Sequence, residues 1–165
     1  MLDMLKRISS EYIGVTLDTG NNVSLMEDPL EVARALAPYA NSVHLKDMGV
    51  EPYEDAFMLS EVPFGEGFLD LKAIVDVIRA AKPNVNFTLE MITRDPLKIP
   101  YFTDQYWVAL KDLPGRDLAR MIDTVRKHPS AKLPRVEHLS REERFRIEEE
   151  NNRKCLEYGG THLGL

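Results

Sequence analysis

The segment Ile13-Gly-Val-Thr-Leu-Asp-Thr-Gly-Asn21 has a pattern that two later segments repeat, and this repetition predicts the fold. It is a short run with β-branched residues that stops at an acid and then breaks at a glycine, as expected of a buried strand followed by a turn. Two later stretches repeat the plan: Ser42-Val-His-Leu-Lys-Asp47 and Asn86-Phe-Thr-Leu-Glu-Met-Ile92. Each of the three is therefore predicted to form a strand.

Helical patterns separate these strands, which are predicted over residues 13–18, 42–46 and 86–92. Asp28, Pro29 and Glu31 form a helix start, because they supply a cap, a proline at the first helical position and a capping-box acid. Further helices are predicted after Asp70, Pro114 and Ser140. Strands that alternate with helices predict a parallel sheet with right-handed crossovers. The apolar character of the first and third strands predicts that this sheet is covered on both faces.

Three segments are predicted to be irregular. Residues 47–68 form a long predicted loop with repeated glycine and proline, and loops of this length in compact domains are usually functional or disordered. Residues 93–114 are aromatic-rich and without a clear period. Residues 129–138 are predicted to be an extended arm, and the final charged helix is predicted to end at Gly159.

Length and composition describe one acidic globular domain. The 165 residues are 44% hydrophobic and 29% charged, with a net charge of −6 at pH 7. No basic excess is available to hold phosphates, so neither a nucleic-acid nor a membrane partner is expected. The single cysteine, Cys155, excludes an internal disulfide and is typical of a reducing compartment, so a cytoplasmic location is expected.

Asp18, His44 and Glu90 each lie at or near the C-terminal end of a predicted strand. Parallel α/β folds bind ligands and gather catalytic residues at that edge. Two carboxylates and an imidazole suit Mn²⁺, Mg²⁺, Co²⁺ or Zn²⁺, so the three residues are a candidate metal site. The alternatives are a turn cap for Asp18, a hydrogen-bonded core histidine for His44, and a pairing of Glu90 with Lys46 or Arg94.

Lys46 and Arg94 are candidates for contact with a substrate. Lys46 could contact a substrate oxygen or phosphate, or it could pair with Asp47 or Glu90. Arg94 follows the third strand and could bind a substrate carboxylate or phosphate, or form a surface ion pair.

Four motifs resemble consecutive motifs of the xylose-isomerase-like superfamily: Leu17-Asp-Thr-Gly-Asn21, Val43-His-Leu-Lys-Asp47, Pro63-Phe-Gly-Glu-Gly67 and Leu89-Glu-Met91. This superfamily includes sugar phosphate isomerases/epimerases, ketose 3-epimerases and family-2 AP endonucleases. The resemblance covers about residues 5–127 and is closest to the isomerase/epimerase branch. It implies a TIM barrel with a divalent metal at its C-terminal mouth.

The resemblance also implies roles for particular residues. Asp18, His44 and Glu90 match three of the family's four usual metal ligands, and Glu90 would also act as a catalytic acid/base. Asn21 stands where many relatives have a substrate-binding histidine. The implied function is a metal-dependent sugar or sugar-phosphate isomerase/epimerase with a small-molecule substrate. The alternatives are a metal-dependent hydrolase or lyase on the same barrel, including the AP endonuclease-like branch, and a non-catalytic partial barrel for binding or assembly.

Three strands are fewer than a barrel requires, because a full TIM barrel needs roughly 250 residues. The predicted fold is therefore an α/β partial barrel of about three parallel βα units, with residues 1–128 as the C-terminal part of a TIM-barrel domain. Residues 129–165 would form a C-terminal arm, a charged helix and a tail. The family's fourth ligand, a glutamate from an earlier strand, has no counterpart in this chain. We therefore expect a homo-oligomer or a missing N-terminal half-barrel.

Overall fold

The computed structural model describes residues 1–130 and 132–165, which form two three-stranded sheets. The first sheet is parallel, with β2 between the other two strands; its strands are β1 (Val15–Asp18), β2 (Ala40–Leu45) and β5 (Asn86–Leu89). The second sheet is antiparallel, with β4 in the middle; its strands are β3 (Asp47–Tyr53), β4 (Ala56–Val62) and β6 (Leu97–Ile99). The helices are α1 (Leu2–Ile8), α2 (Pro29–Leu36), α3 (Leu71–Ala81), α4 (Asp104–Trp107), α5 (Gly115–Lys127) and α6 (Arg141–Tyr158).

The predicted α/β partial barrel is confirmed. Helices connect the three parallel strands, and the described residues do not close a barrel. The predicted caps are also present: Asp28 accepts from the Glu31 N–H at 2.9 Å, and Asp70 accepts from the Ala73 N–H at 3.0 Å. Ser140 opens α6 with a capping box. In the described residues, no helix combines the length and apolar character needed to cross a bilayer.

The parallel sheet has one apolar face and one polar face. Leu17 lies opposite Val43, which lies opposite Phe87, and this side packs against helix residues such as Ile74 of α3. The polar face carries the residues that alternate with these: Thr16, Asp18, Ser42, His44, Asn86 and Thr88. The expectation of a sheet covered on both faces is therefore wrong for the described residues. Thr16 and Thr88 are β-branched and favour strands, but their side chains lie on the polar face, so the two strands are apolar on one face only.

The predicted loop over residues 47–68 is wrong, because most of it forms the β3–β4 hairpin. The two strands pair through a two-residue turn at 54–55. Pro52 lies near the end of β3, where the strand loses its burial. Position 49 of β3 requires a glycine, because a Cβ there would come within 2.7 Å of the Leu133 side chain. Both breaker residues are thus accommodated within a strand.

The segment 93–114 contains β6 and the single-turn helix α4, although it was predicted to be irregular throughout. The predicted arm packs on the body of the protein, since Leu133 and Val136 are both buried. Helix α6 ends at Tyr158, and the chain continues as a π-helical turn over Gly159–Leu163. The glycines therefore mark the end of α6, as predicted, and the π-helical turn that follows was not predicted.

The C-terminal residues pack against the apolar face of the parallel sheet and helix α3. Cys155 of α6 and Leu163 share an apolar cluster with Leu45 of β2 and Val75 of α3. The Arg79 guanidinium also donates to the Leu163 carbonyl at 2.9 Å. Burial in this cluster raises the pKa of the Cys155 thiol.

Asp47 joins the start of the hairpin to the loop before α3. Its carboxylate accepts from four backbone N–H groups, at 2.8 to 3.2 Å: Met48, Gly65, Gly67 and Leu69. A Cβ at residue 67 would lie 2.1 Å from Asp47 Oδ1, which explains the glycine. Burial raises the pKa of Asp47 to about 6, although the four amides lower it.

Asp47→Asn is expected to lower the free energy of unfolding by about 2–3 kcal/mol, because the side-chain NH₂ of asparagine would point its hydrogens at backbone N–H groups that now donate to the carboxylate. A raised pKa stabilises the fold below the unfolded pKa, and this stabilisation is lost as pH rises through about 6. Urea unfolding should therefore show a difference between wild type and variant that shrinks from about pH 4 to about pH 7. The control is D112N at an exposed acid. A difference that grows over this interval would contradict the assignment.

Candidate metal centre

The register of the parallel sheet brings Asp18, His44 and Glu90 together. Asp18 lies opposite His44, and His44 lies opposite Thr88, two residues before Glu90. Paired residues on parallel strands, and residues two apart on one strand, project from the same face. One possible ligand atom from each of the three side chains lies within 4.8 Å of the other two. The strand ends thus converge on one point of the polar face.

Thr19 fixes the ends of β1 and β2 to each other. Its N–H donates to the His44 carbonyl at 3.1 Å. Its buried hydroxyl donates to the Lys46 carbonyl at 2.9 Å and accepts from the Lys46 N–H at 3.0 Å. The Glu90 N–H donates to the Leu45 carbonyl at 3.0 Å, which continues the β2–β5 pairing. Backbone hydrogen bonds therefore hold the segments that carry the three side chains.

Glu90 and His44 face each other without a hydrogen bond. Glu90 Oε2 lies 2.8 Å from His44 Nδ1, yet this buried oxygen has no hydrogen-bond partner among the described residues. Leaving a buried polar atom unpaired costs about 1–3 kcal/mol. A cation shared by the oxygen and the nitrogen would remove that cost, so these atoms fit a bound metal.

Asp18 is held in a fixed orientation. Its Oδ1 accepts from the backbone N–H groups of Gly20 at 2.9 Å and Asn21 at 2.7 Å. Its Oδ2 accepts from the Asn21 side-chain amide at 2.9 Å and lies 3.0 Å from Lys46 Nζ. Such contacts orient a ligand carboxylate. A carboxylate offers about four lone-pair sites, so a metal at Asp18 takes one that Asn21 or Lys46 now uses.

Lys46 supplies the buried positive charge of the centre. Its side chain is 1% exposed, and Nζ lies 3.0 Å from both Asp18 Oδ2 and Glu90 Oε1. Nζ also donates to Asn21 Oδ1 at 3.2 Å. Lys46 therefore ties the two carboxylates together. Contact of Lys46 or Asn21 with a substrate stays a prediction, and it requires the exchange of one of these bonds.

Glu61, a buried residue of β4, also belongs to the centre, although the sequence did not predict it. Its Oε1 accepts from Arg94 Nη2 at 3.2 Å and lies 4.0 Å from Lys46 Nζ. Arg94 thus reaches the centre through Glu61, and no pairing of Arg94 with Glu90 occurs in the described residues. The available signal was the apolar run Ala56-Phe-Met-Leu59, which precedes Ser60 and Glu61 in β4. A loop was predicted over residues 47–68, and a loop gives no period from which the burial of this acid could be predicted.

Residues 1–120 match the family model described as xylose isomerase-like TIM barrel. The chain belongs to this family. A 3-oxo-isoapionate decarboxylase of Pectobacterium atrosepticum is 33% identical over 92 residues, which are 54% of this chain and 34% of that protein. The chain therefore spans about a third of the length of this curated relative. No solved structure matches the chain. In this xylose isomerase-like chain, Asp18, His44 and Glu90 form a group that could hold a metal ion.

Thr19→Val tests whether the hydrogen bonds of the Thr19 hydroxyl, which join the ends of β1 and β2, stabilise the protein. The variant keeps the side-chain shape but leaves the buried N–H and carbonyl of Lys46 without the hydroxyl, at an expected cost of about 2–3 kcal/mol. The matched control is T16V, which removes an exposed hydroxyl from the same strand and should cost less than about 0.5 kcal/mol. Equal unfolding midpoints for the two variants in urea would show that the Thr19 hydroxyl adds nothing to the stability of the protein.

Proposed function

We propose that this chain carries the metal-binding part of an enzyme of carbohydrate metabolism that moves a proton next to a carbonyl group. The proposed activity is that of a sugar or sugar-phosphate isomerase or epimerase. The observation that supports it is the convergence of Asp18, His44 and Glu90, with a buried Glu90 oxygen that has no hydrogen-bond partner in residues 1–130 and 132–165. Their oxygen and nitrogen donors suit Mn²⁺, Mg²⁺, Co²⁺ or Zn²⁺.

Each residue has a proposed task. Asp18, His44 and Glu90 hold the cation, which supplies Lewis-acid stabilisation of the negative charge on the substrate carbonyl oxygen. Glu90 also takes the proton from the neighbouring carbon and returns it. Lys46 fixes Glu90 from the side of Oε1, at 3.0 Å, so the carboxylate does not turn away from the substrate. Asn21 is exposed beside Asp18 and is placed to hydrogen-bond a substrate hydroxyl.

A lyase that removes carbon dioxide from a 3-oxo acid is the second candidate. The observation that favours it is the similarity to 3-oxo-isoapionate decarboxylase. When a 3-oxo acid loses carbon dioxide, the electron pair of the broken C–C bond stays on the carbon beside the carbonyl. Proton abstraction leaves the same kind of anion, so one metal centre serves both reactions. In both cases Glu90 handles the proton that this carbon gains.

Hydrogen exchange in D₂O tests the proposal on the 165-residue chain supplied with Mn²⁺. A panel of ketoses and 3-oxo acids is followed by proton NMR, and deuterium is expected at the carbon next to the carbonyl. Glu90→Gln should slow this exchange by about 10²- to 10⁴-fold, because it removes the proton-transfer group. The control is E148Q at an exposed position of α6, which should match wild type.

The products distinguish the two candidates. Exchange with all carbons retained supports the isomerase or epimerase, whereas release of carbon dioxide with deuterium in the product supports the lyase. Equal rates for wild type and E90Q, or no exchange with any compound of the panel, would contradict both.

A further inference from the structure

Arg94 combines an anchored guanidinium with unused donors. Its side chain is 41% exposed, and one nitrogen, Nη2, donates to Glu61 Oε1 at 3.2 Å. Its Nε is buried and has no hydrogen-bond partner among the described residues. A guanidinium carries five donors in a planar fork that matches the two oxygens of a carboxylate. Arg94 is therefore partly fixed, partly open to solvent, and short of an acceptor.

Glu61 places Arg94 next to the candidate metal centre. Its side chain is 3% exposed, and a buried carboxylate is stable only when it is paired. Glu61 has two cationic partners, and both lie near the same oxygen: Oε1 is 3.2 Å from Arg94 Nη2 and 4.0 Å from Lys46 Nζ. Lys46 in turn touches Asp18 and Glu90. Arg94 is therefore linked to the candidate ligands through two charged residues, Glu61 and Lys46.

The charges of this cluster define the kind of anion that it accommodates. The ionised groups are three carboxylates and two cations: Asp18, Glu61, Glu90, Lys46 and Arg94. With a neutral imidazole the cluster carries one net negative charge, and a divalent cation changes this to one net positive charge. A single carboxylate neutralises that charge, whereas a phosphate ester, with a charge of about −1.5 to −2 at pH 7, exceeds it.

We propose that the substrate of this centre is a hydroxy-oxo acid, and that Arg94 binds its carboxylate. Glu61 is the positioning residue that holds the guanidinium toward the centre and sets the charge balance. This inference rests on the proposed function for the metal, and it narrows the proposed substrates, which include sugars, sugar phosphates and 3-oxo acids, to sugar acids.

Three compounds that differ only at carbon 6 test the inference: D-fructose, D-fructuronate and D-fructose 6-phosphate. Each is titrated into the Mn²⁺-supplied chain by calorimetry. D-fructuronate is expected to bind at least about tenfold more tightly than the other two, which corresponds to about 1.4 kcal/mol. Arg94→Gln should remove this preference and leave Mn²⁺ binding within about twofold, because Arg94 is not among the three proposed ligands. The control is R116Q, whose side chain is 87% exposed and remote in sequence from these residues.

Glu61→Gln separates the charge effect from simple damage to the fold. Glutamine keeps an oxygen that accepts from Arg94 but removes one negative charge. The preference should therefore shift from D-fructuronate toward D-fructose 6-phosphate, a change that unfolding would not produce.

The inference is overturned if none of the three compounds binds, if all bind equally, if D-fructose 6-phosphate binds most tightly to wild type, or if R94Q keeps the preference. Failure of the proposed function has a different signature, since it appears as an absence of Mn²⁺ binding in the same titrations.

Discussion

The parallel pairing of β1 with β2, and of β2 with β5, is the constraint on which the rest of the structure depends. Side chains alternate along each strand, so this register sends Leu17, Val43 and Phe87 to the helices and the polar residues to the other face. A shift by one residue in any strand would move its ligand candidate into the apolar core. Fold and candidate chemistry thus share one geometric cause.

Within that register, Lys46 resolves an electrostatic problem. Asp18, Glu90 and Glu61 bring three carboxylates close together, and the Lys46 ammonium lies 3.0 Å from two of them and 4.0 Å from the third. Its burial keeps water away, so these pairings are stronger than surface ion pairs. The centre is therefore preorganised by a residue of the protein itself. Oε2 of Glu90 is buried and has no hydrogen-bond partner within the part of the chain that the structure describes.

The sequence predicted what depends on local pattern and missed what depends on distant partners. The three parallel strands, the caps at Asp28 and Asp70, and the convergence of the strand ends all follow from period and position. The β3–β4 hairpin was missed because Gly49 is required by the side chain of Leu133, which lies far away in sequence. The burial of Glu61 was missed for the same reason, since its partners Arg94 and Lys46 are distant in sequence and become its neighbours only in the folded chain.

Anomalous diffraction from crystals grown with Mn²⁺ would show whether Asp18, His44 and Glu90 bind one divalent cation. We expect a single strong anomalous peak bonded to one atom of each of the three side chains, with Lys46 Nζ moved away from at least one carboxylate. An empty centre in which Lys46 still bridges Asp18 and Glu90, or a peak bound elsewhere on the chain, would rule out this metal site.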